Sequence, residues 1–200
     1  MVDSGMPKQG KKFLKWLMEL SINPRDIALL LLTHGHLDHA GSASEFRELT
    51  GCKIAVNHRE KEWVEKALKP VPPGTNLWGK VCGVIFRVAL PFINFPSTPI
   101  DLALEDDDFS LESYGINGRV IHTPGHTSGS MSVLLDAGDA FVGDLAANGL
   151  PIRIGPGMPQ VGENADMIKQ GWRLILSRGG RRIYPGHGKP FSAKVLEKLL

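Results

Sequence analysis

Several things are scarce in this 200-residue chain. It has two cysteines, Cys52 and Cys82, too few for a disulfide framework. Both are expected to be reduced and packed as small apolar groups. No apolar run approaches the roughly 18 residues a membrane-spanning helix needs, and the first residues lack the apolar core of a secretory leader. Basic runs are missing as well. Lys11-Lys12 and Arg181-Arg182 are only pairs, and the formal net charge is +2, so no general pull toward nucleic acid or membrane is expected. These absences describe a soluble, cytoplasmic protein. Its length allows one well-buried domain over 1–200.

Histidine is unevenly distributed. The chain has seven, and three fall in the stretch Thr33-His34-Gly35-His36-Leu37-Asp38-His39-Ala40-Gly41. Residues 27–32 before it are apolar and read as a buried strand, and residues 42–49 after it read as helix. A strand-to-helix loop can present ligands to a cleft from a rigid scaffold. Imidazole and carboxylate suit zinc, and also iron and manganese. His34 and His36 lie two apart, so in extended chain they point to one side. Asp38 and His39 fall where the chain turns and need not aim the same way, so one loop can serve two neighbouring ions.

Three later residues have similar settings. His126 lies in the Gly/Pro-rich turn His122-Thr123-Pro124-Gly125-His126-Thr127-Ser128-Gly129-Ser130. Asp144 ends the apolar run Ala140-Phe141-Val142-Gly143-Asp144, and His187 sits in Tyr184-Pro185-Gly186-His187-Gly188. Each is a candidate ligand on a loop at a strand end.

The rest of the chain alternates helices and strands. Residues 8–20 form an amphipathic pattern with Phe13, Leu14, Trp16, Leu17 and Leu20 inward. Asn57 is placed to cap a helix over 58–68 that turns Trp63, Val64, Ala67 and Leu68 inward. Residues 81–95 are rich in apolar side chains; they read either as a buried helix closing the core or as a lid or interaction surface. Strands are expected at 100–104, 118–121, 131–135 and 140–142, the last two joined by an Asp136–Asp139 hairpin turn. The acidic run 105–108 lacks EF-hand spacing and reads as a solvated turn. Residues 145–162 read as a long loop overhanging the cleft, followed by a helix to Ser177, a strand at 182–184 and a helix at 193–200 behind Ser192. His58, His122 and Tyr184 are read as surface or packing residues.

These motifs carry a family resemblance. Residues 33–41 resemble the His-x-His-x-Asp-His signature of the metallo-β-lactamase superfamily. Residues 123–130, Gly143-Asp144 and Pro185-Gly186-His187-Gly188 resemble its later motifs in the same order, and Val2-Asp3-Ser4-Gly5 its early turn. The resemblance implies an αββα four-layer sandwich of α/β class, here without the first N-terminal strand or strands. That gap would mean a trimmed domain, a fragment, or a sheet covered by a partner.

It also implies that Asp3 supports the metal loop, that His34, His36 and His126 bind one divalent ion, and that Asp38, His39 and His187 bind a second. Asp144 would bridge both. Two ions, zinc first and iron or manganese otherwise, would share a hydroxide that attacks a small-molecule thioester, lactone or related ester, with Asp38 and Asp144 as the catalytic carboxylates. Arg153, on the loop after Asp144, is the candidate substrate contact. No nucleic-acid or membrane partner is expected, and a homo-oligomer stays open. Two other readings are a mononuclear-iron sulfur dioxygenase-like oxidoreductase and a non-catalytic metal-binding or interaction subunit.

Overall fold

The computed structural model describes residues 1–71, 73–149 and 154–200. The chain divides into two compact units, Met1–Pro70 with Pro91–Glu105, and Val71–Leu90 with Asp106–Leu200.

The first unit contains helices α1 (Gly10–Glu19), α2 (Leu37–Ala40), α3 (Ala43–Thr50) and α4 (Lys61–Glu65), and strands β1 (Leu29–Leu31), β2 (Lys53–Asn57) and β3 (Leu102–Leu104). The strands form a parallel sheet in the order β1-β2-β3, with Leu30 opposite Ile54 and Val56 opposite Ala103. Buried strands of a parallel sheet read as continuous apolar runs, as 29–32 and 54–56 do. Phe13 and Leu17 of α1 pack with Phe46 of α3 over Leu30, Ile54 and Val56. The Phe13 and Phe46 rings stack with centroids 4.0 Å apart. Gly51 ends α3 in the left-handed conformation, where its N–H donates to the Arg47 carbonyl.

Two expectations fail in this unit. Trp16 is half exposed and Leu20 exposed, because the buried stripe of α1 is narrow and made of Gly10, Phe13 and Leu17; Lys12 lies 4.6 Å over the Trp16 ring instead. The 58–68 helix shrinks to α4. Asn57 Oδ1 accepts from the Arg59 N–H and closes a turn rather than capping a helix, and Ala67 takes a positive φ of 49°. Val64 is buried, but Leu68 is exposed.

The second unit contains α5 (Leu77–Ala89), a six-stranded sheet, α6 (Ala165–Ser177) and α7 (Lys194–Glu197). The strands are β4 (Phe109–Ser110), β5 (Gly118–His122), β6 (Met131–Leu135), β7 (Asp139–Asn148), β8 (Arg182–Gly188) and β9 (Phe191–Ser192), and they neighbour one another in that order. All pairs are antiparallel except β7 and β8, which α6 connects as a parallel crossover. The Asn164 side chain accepts from the N–H groups of Asp166 and Met167 and starts α6. That helix buries Ile168, Trp172 and Ile175 with Leu145, Val142 and Ile183. The Trp172 indole donates to the Leu145 carbonyl at 2.8 Å.

The second unit corrects three expectations and decides a fourth point, which the sequence left between a buried closure and an exposed surface. β7 does not stop at Asp144 but runs on to Asn148, so the loop begins later. β8 continues through His187, which therefore lies in a strand. The terminal helix is only the single turn α7. The apolar helix, here α5, is not a buried closure, since Leu77, Trp78, Val81, Val84, Ile85 and Val88 are all exposed. Among the described residues no helix is long and apolar enough to cross a membrane. Both cysteines are free thiols.

Candidate metal centre

In the first unit the ligand loop grows out of the end of β1. Leu32 and Thr33 are buried, and the chain then turns into α2, so His34, His36, Asp38 and His39 sit on a strand end and one helical turn. A ligand atom of His34 lies within 4.8 Å of one of His36 and of one of His39. Their ring centroids are 4.7 Å and 4.0 Å from that of His34. All three imidazoles are buried. The Asp38 side chain is 38% exposed, with Oδ2 4.0 Å from His39 Nε2.

Asp3 organises this loop from a distant point in the sequence. Its Oδ1 accepts from the Thr33 backbone N–H at 2.7 Å, its carboxylate accepts the Thr33 hydroxyl, and its Oδ2 meets His39 Nδ1 at 2.8 Å. A carboxylate can only accept, so His39 carries its proton on Nδ1 and its lone pair on Nε2. The Thr33 hydroxyl gives its proton to Asp3, so its oxygen accepts from His34 Nδ1 at 3.1 Å. His34 is thereby also left with its lone pair on Nε2.

Two residues complete the loop: Glu60, which the sequence did not single out, and Trp63, which it marked only as an inward helix residue. Glu60 is fully buried, and its Oε2 accepts the backbone N–H of Gly35. Trp63 lies parallel to the His36 ring at 5.9 Å. A Cβ on Gly35 would stand 3.3 Å from both Glu60 Oε2 and Trp63, so glycine lets the two close on the loop. Both act at a sequence distance of about one helix-and-strand, with no local motif to announce them.

In the second unit His126, Asp144 and His187 come together. Asp144 Oδ2 is 3.6 Å from His126 Nε2 and 3.4 Å from His187 Nε2. Asp144 is on β7 and His187 on β8, where His187 pairs across the ladder with Ala147, three residues past Asp144. His126 Nδ1 donates to the Val161 carbonyl at 3.0 Å, so this histidine too presents Nε2. Its loop is fastened internally: Ser130 Oγ accepts from the Thr127 N–H at 3.1 Å and meets Thr127 Oγ1 at 2.7 Å. Gly125 holds φ at 136°, with its Cα close against α6. His126 and Asp144 are buried, while the His187 side chain is 27% exposed.

The remaining candidates lie elsewhere. His58 Nε2 faces Glu105 at 3.5 Å on the surface. His122 bonds the Ser128 carbonyl at 2.9 Å and faces Asp106 at 3.4 Å, so it is half-buried and occupied with its own loop. Tyr184 stacks on Phe141 at 4.6 Å. Arg153 lies outside the described residues. Glu163 follows the His126 loop, its N–H bonded to the His126 carbonyl, and burial pushes its carboxyl above the ordinary range.

The donor chemistry fits a divalent metal. Three histidines have Nδ1 engaged by an acceptor, which is how second partners orient metal-binding imidazoles, and carboxylates stand beside the Nε2 atoms of His39 and His126.

Comparison with known proteins agrees with these motifs. A profile of the metallo-beta-lactamase superfamily matches residues 1–187. The Beta-lactamase-like protein 2 homolog of Drosophila melanogaster is 30% identical over 166 residues, covering 81% of this chain and 45% of that protein. Hydroxyacylglutathione hydrolase GloC of Haemophilus influenzae is 28% identical over 147 residues, 70% of this chain and 58% of that one. The chain thus spans about half the length of these curated relatives. The crystal structure of the B3 metallo-beta-lactamase BLEG-1 superposes with a TM-score of 0.69 at 20% identity, over 96% of this chain and 82% of that chain. That likeness shows the fold: the mixed α/β class expected from the sequence stands.

Proposed function

Because the chain belongs to the metallo-β-lactamase superfamily, we propose that it is a hydrolase with a dinuclear metal centre, acting on a small-molecule ester-type bond. The observation that carries this reading is the place of Asp144. A single carboxylate oxygen faces two imidazole Nε2 atoms, 3.6 Å and 3.4 Å away. An ion on each histidine would share that carboxylate.

On this reading His34, His36 and His126 hold one ion, Asp38, His39 and His187 the other, and Asp144 joins them. Bound there, a pair of divalent ions, zinc in the first instance, would lower the pKa of water and polarise a carbonyl oxygen. The chain's own residues do the rest. Asp3 and Thr33 fix the tautomers of His39 and His34. Val161 fixes that of His126. Glu60 and Trp63 hold the His34–His36 turn rigid, so the donor atoms are in place before a ligand arrives. The Asp38 side chain is 38% exposed and that of His187 27%, so each unit leaves one of its donors open to water.

The thioester is the favoured substrate class within the esters. A relative bears the name hydroxyacylglutathione hydrolase, and hydroxyacylglutathione is a thioester. The reading places the activity in the cytoplasm.

The test is metal content per chain, by elemental mass spectrometry on protein purified without added metal, followed by turnover of thioesters and lactones. About two ions per chain and thioester hydrolysis are the expected result. One iron per chain with persulfide-dependent oxygen uptake would replace the hydrolase with an oxygenase. No metal uptake on titration would remove both.

A further inference from the structure

Helix α5 is built to be covered by something outside the chain. It is fastened at its start to residues 159–162. The Thr75 hydroxyl donates to the Pro159 carbonyl, the Thr75 N–H to the Gln160 carbonyl, and the Asn76 amide to Gln160 Oε1. Gly74 bridges to Val161, and Asn76 caps the helix through the Gly79 N–H.

The face turned to the protein carries two glycines, with Cys82 and Phe86 half-buried beside them. It is the glycine face, Gly79 and Gly83, one turn apart and both buried. A Cβ on Gly79 would fall 1.8 Å from the Gln160 carbonyl oxygen, so the helix backbone lies directly on that segment.

The opposite face is apolar and open. Leu77, Val81, Val84 and Val88 follow i, i+4, i+7, i+11 spacing, with Trp78 and Ile85 beside them. All are exposed, from 43% for Val81 to 80% for Leu77. Six large apolar side chains on one helix face exceed the scattered exposure usual for a soluble surface.

Charge identifies the occupant. Lys80 and Arg87, seven apart, lie along one border of the apolar face, and both are exposed. Within α5 itself, Leu77–Ala89, Lys80 and Arg87 are the charged residues, and there is no Asp or Glu. The near-neutral total of the chain conceals this one-sign stretch. A second copy of the chain docked through the same face would bring these cations toward each other. An anionic surface meets them favourably.

The dimensions fit lying rather than crossing. Thirteen residues of helix extend about 20 Å, short of the ~30 Å hydrocarbon layer. Trp78 has the amphipathic ring that favours the headgroup level. A free interfacial helix needs a polar face toward water; here the glycine face rests on the protein and needs none. We infer that α5 docks the protein on an anionic lipid bilayer, with its apolar face at the headgroup–acyl boundary and Lys80 and Arg87 among the headgroups. This departs from the expectation of no membrane partner drawn from net charge, and it does not depend on the metal chemistry.

The experiment is flotation of the full chain with vesicles of phosphatidylcholine alone or mixed with phosphatidylglycerol, with light scattering to record oligomeric state. The protein is expected to float with the anionic vesicles, to be released by salt, and to show quenching of Trp78 by brominated lipid that is lost in Trp78→Phe. Lys80→Gln with Arg87→Gln should weaken binding roughly thirtyfold. Val84→Asp with Val88→Asp, both at exposed sites and with folding checked by circular dichroism, should abolish it. Failure to float, equal floating with neutral vesicles, or unchanged binding of the Asp variant overturns the proposal. So does a dimer in solution that the Asp variant dissolves, which would make a second copy the occupant.

Discussion

Asp3 Oδ2 stands 2.8 Å from His39 Nδ1 across 36 positions of sequence, and the same carboxylate takes the Thr33 N–H. One side chain therefore sets both the start of the ligand loop and the tautomer of its last histidine. Asp3→Asn keeps an acceptor for Thr33 but offers His39 a weaker partner. Metal affinity should fall about 10- to 100-fold with the fold retained. Equilibrium dialysis against zinc checks it, and an unchanged affinity would show that His39 is oriented without Asp3.

Asp38 is the member of its set that can be removed with least damage to packing, since its side chain is 38% exposed. Asp38→Ala should lose about one ion per chain and all hydrolysis while the apo protein melts as before. Full metal content with wild-type turnover would end its assignment as a ligand.

The His34–Gly41 loop was legible because a metal-binding loop writes its donors consecutively. Later ligands were legible as residue types, but their settings were not. Asp144 and His187 lie inside strands that run past the apolar stretches, because ladder bonding to a neighbour continues where hydrophobicity stops. Glu60 left no trace in local pattern, since its partner is the Gly35 N–H, 25 positions away. Trp16 and α5 were misjudged or left open for one reason. Periodicity locates an apolar face but does not say whether the chain itself covers it.

Gly125 is a position where the fold demands glycine. Its φ is 136°, and a Cβ would stand 2.5 Å from the Ile168 backbone nitrogen. Gly125→Ala should cost roughly 1–3 kcal/mol and displace the His126 loop from α6. Thermal melting of the apo protein measures the first effect, and unaltered stability would mean that the loop relaxes freely.

The ion pair of Arg47 and Asp101 makes a pH prediction. Arg47 donates to both Asp101 oxygens, at 2.5 Å and 3.0 Å, and Ile54 N–H adds a third bond at 2.8 Å. The Arg47 hydrogen bond holds the Asp101 carboxyl below its ordinary range. Its folded pKa is thus below the unfolded one, so the stabilisation is complete above the unfolded value of about 4 and is lost as pH falls through the folded value. Both side chains are partly exposed, so Arg47→Met should cost only about 1 kcal/mol at pH 7. The deficit should shrink below about pH 4. Urea denaturation at both pH values checks the sign; a constant deficit would assign it to packing alone.

The ladder between β7 and β8 is uneven. Phe141 pairs with Tyr184, Gly143 with Pro185 and Ala147 with His187, so β7 advances six residues while β8 advances three. The surplus surrounds Asp144. The aim of that carboxylate is therefore encoded in a count of residues as well as in its identity. Side chains alternate between faces with period two. Deleting Val142 or Gly143 would move Asp144 one position along the strand and turn it toward the other face, with every candidate donor still present. Substitution would probe the chemistry of this stretch, whereas deletion would probe its arithmetic.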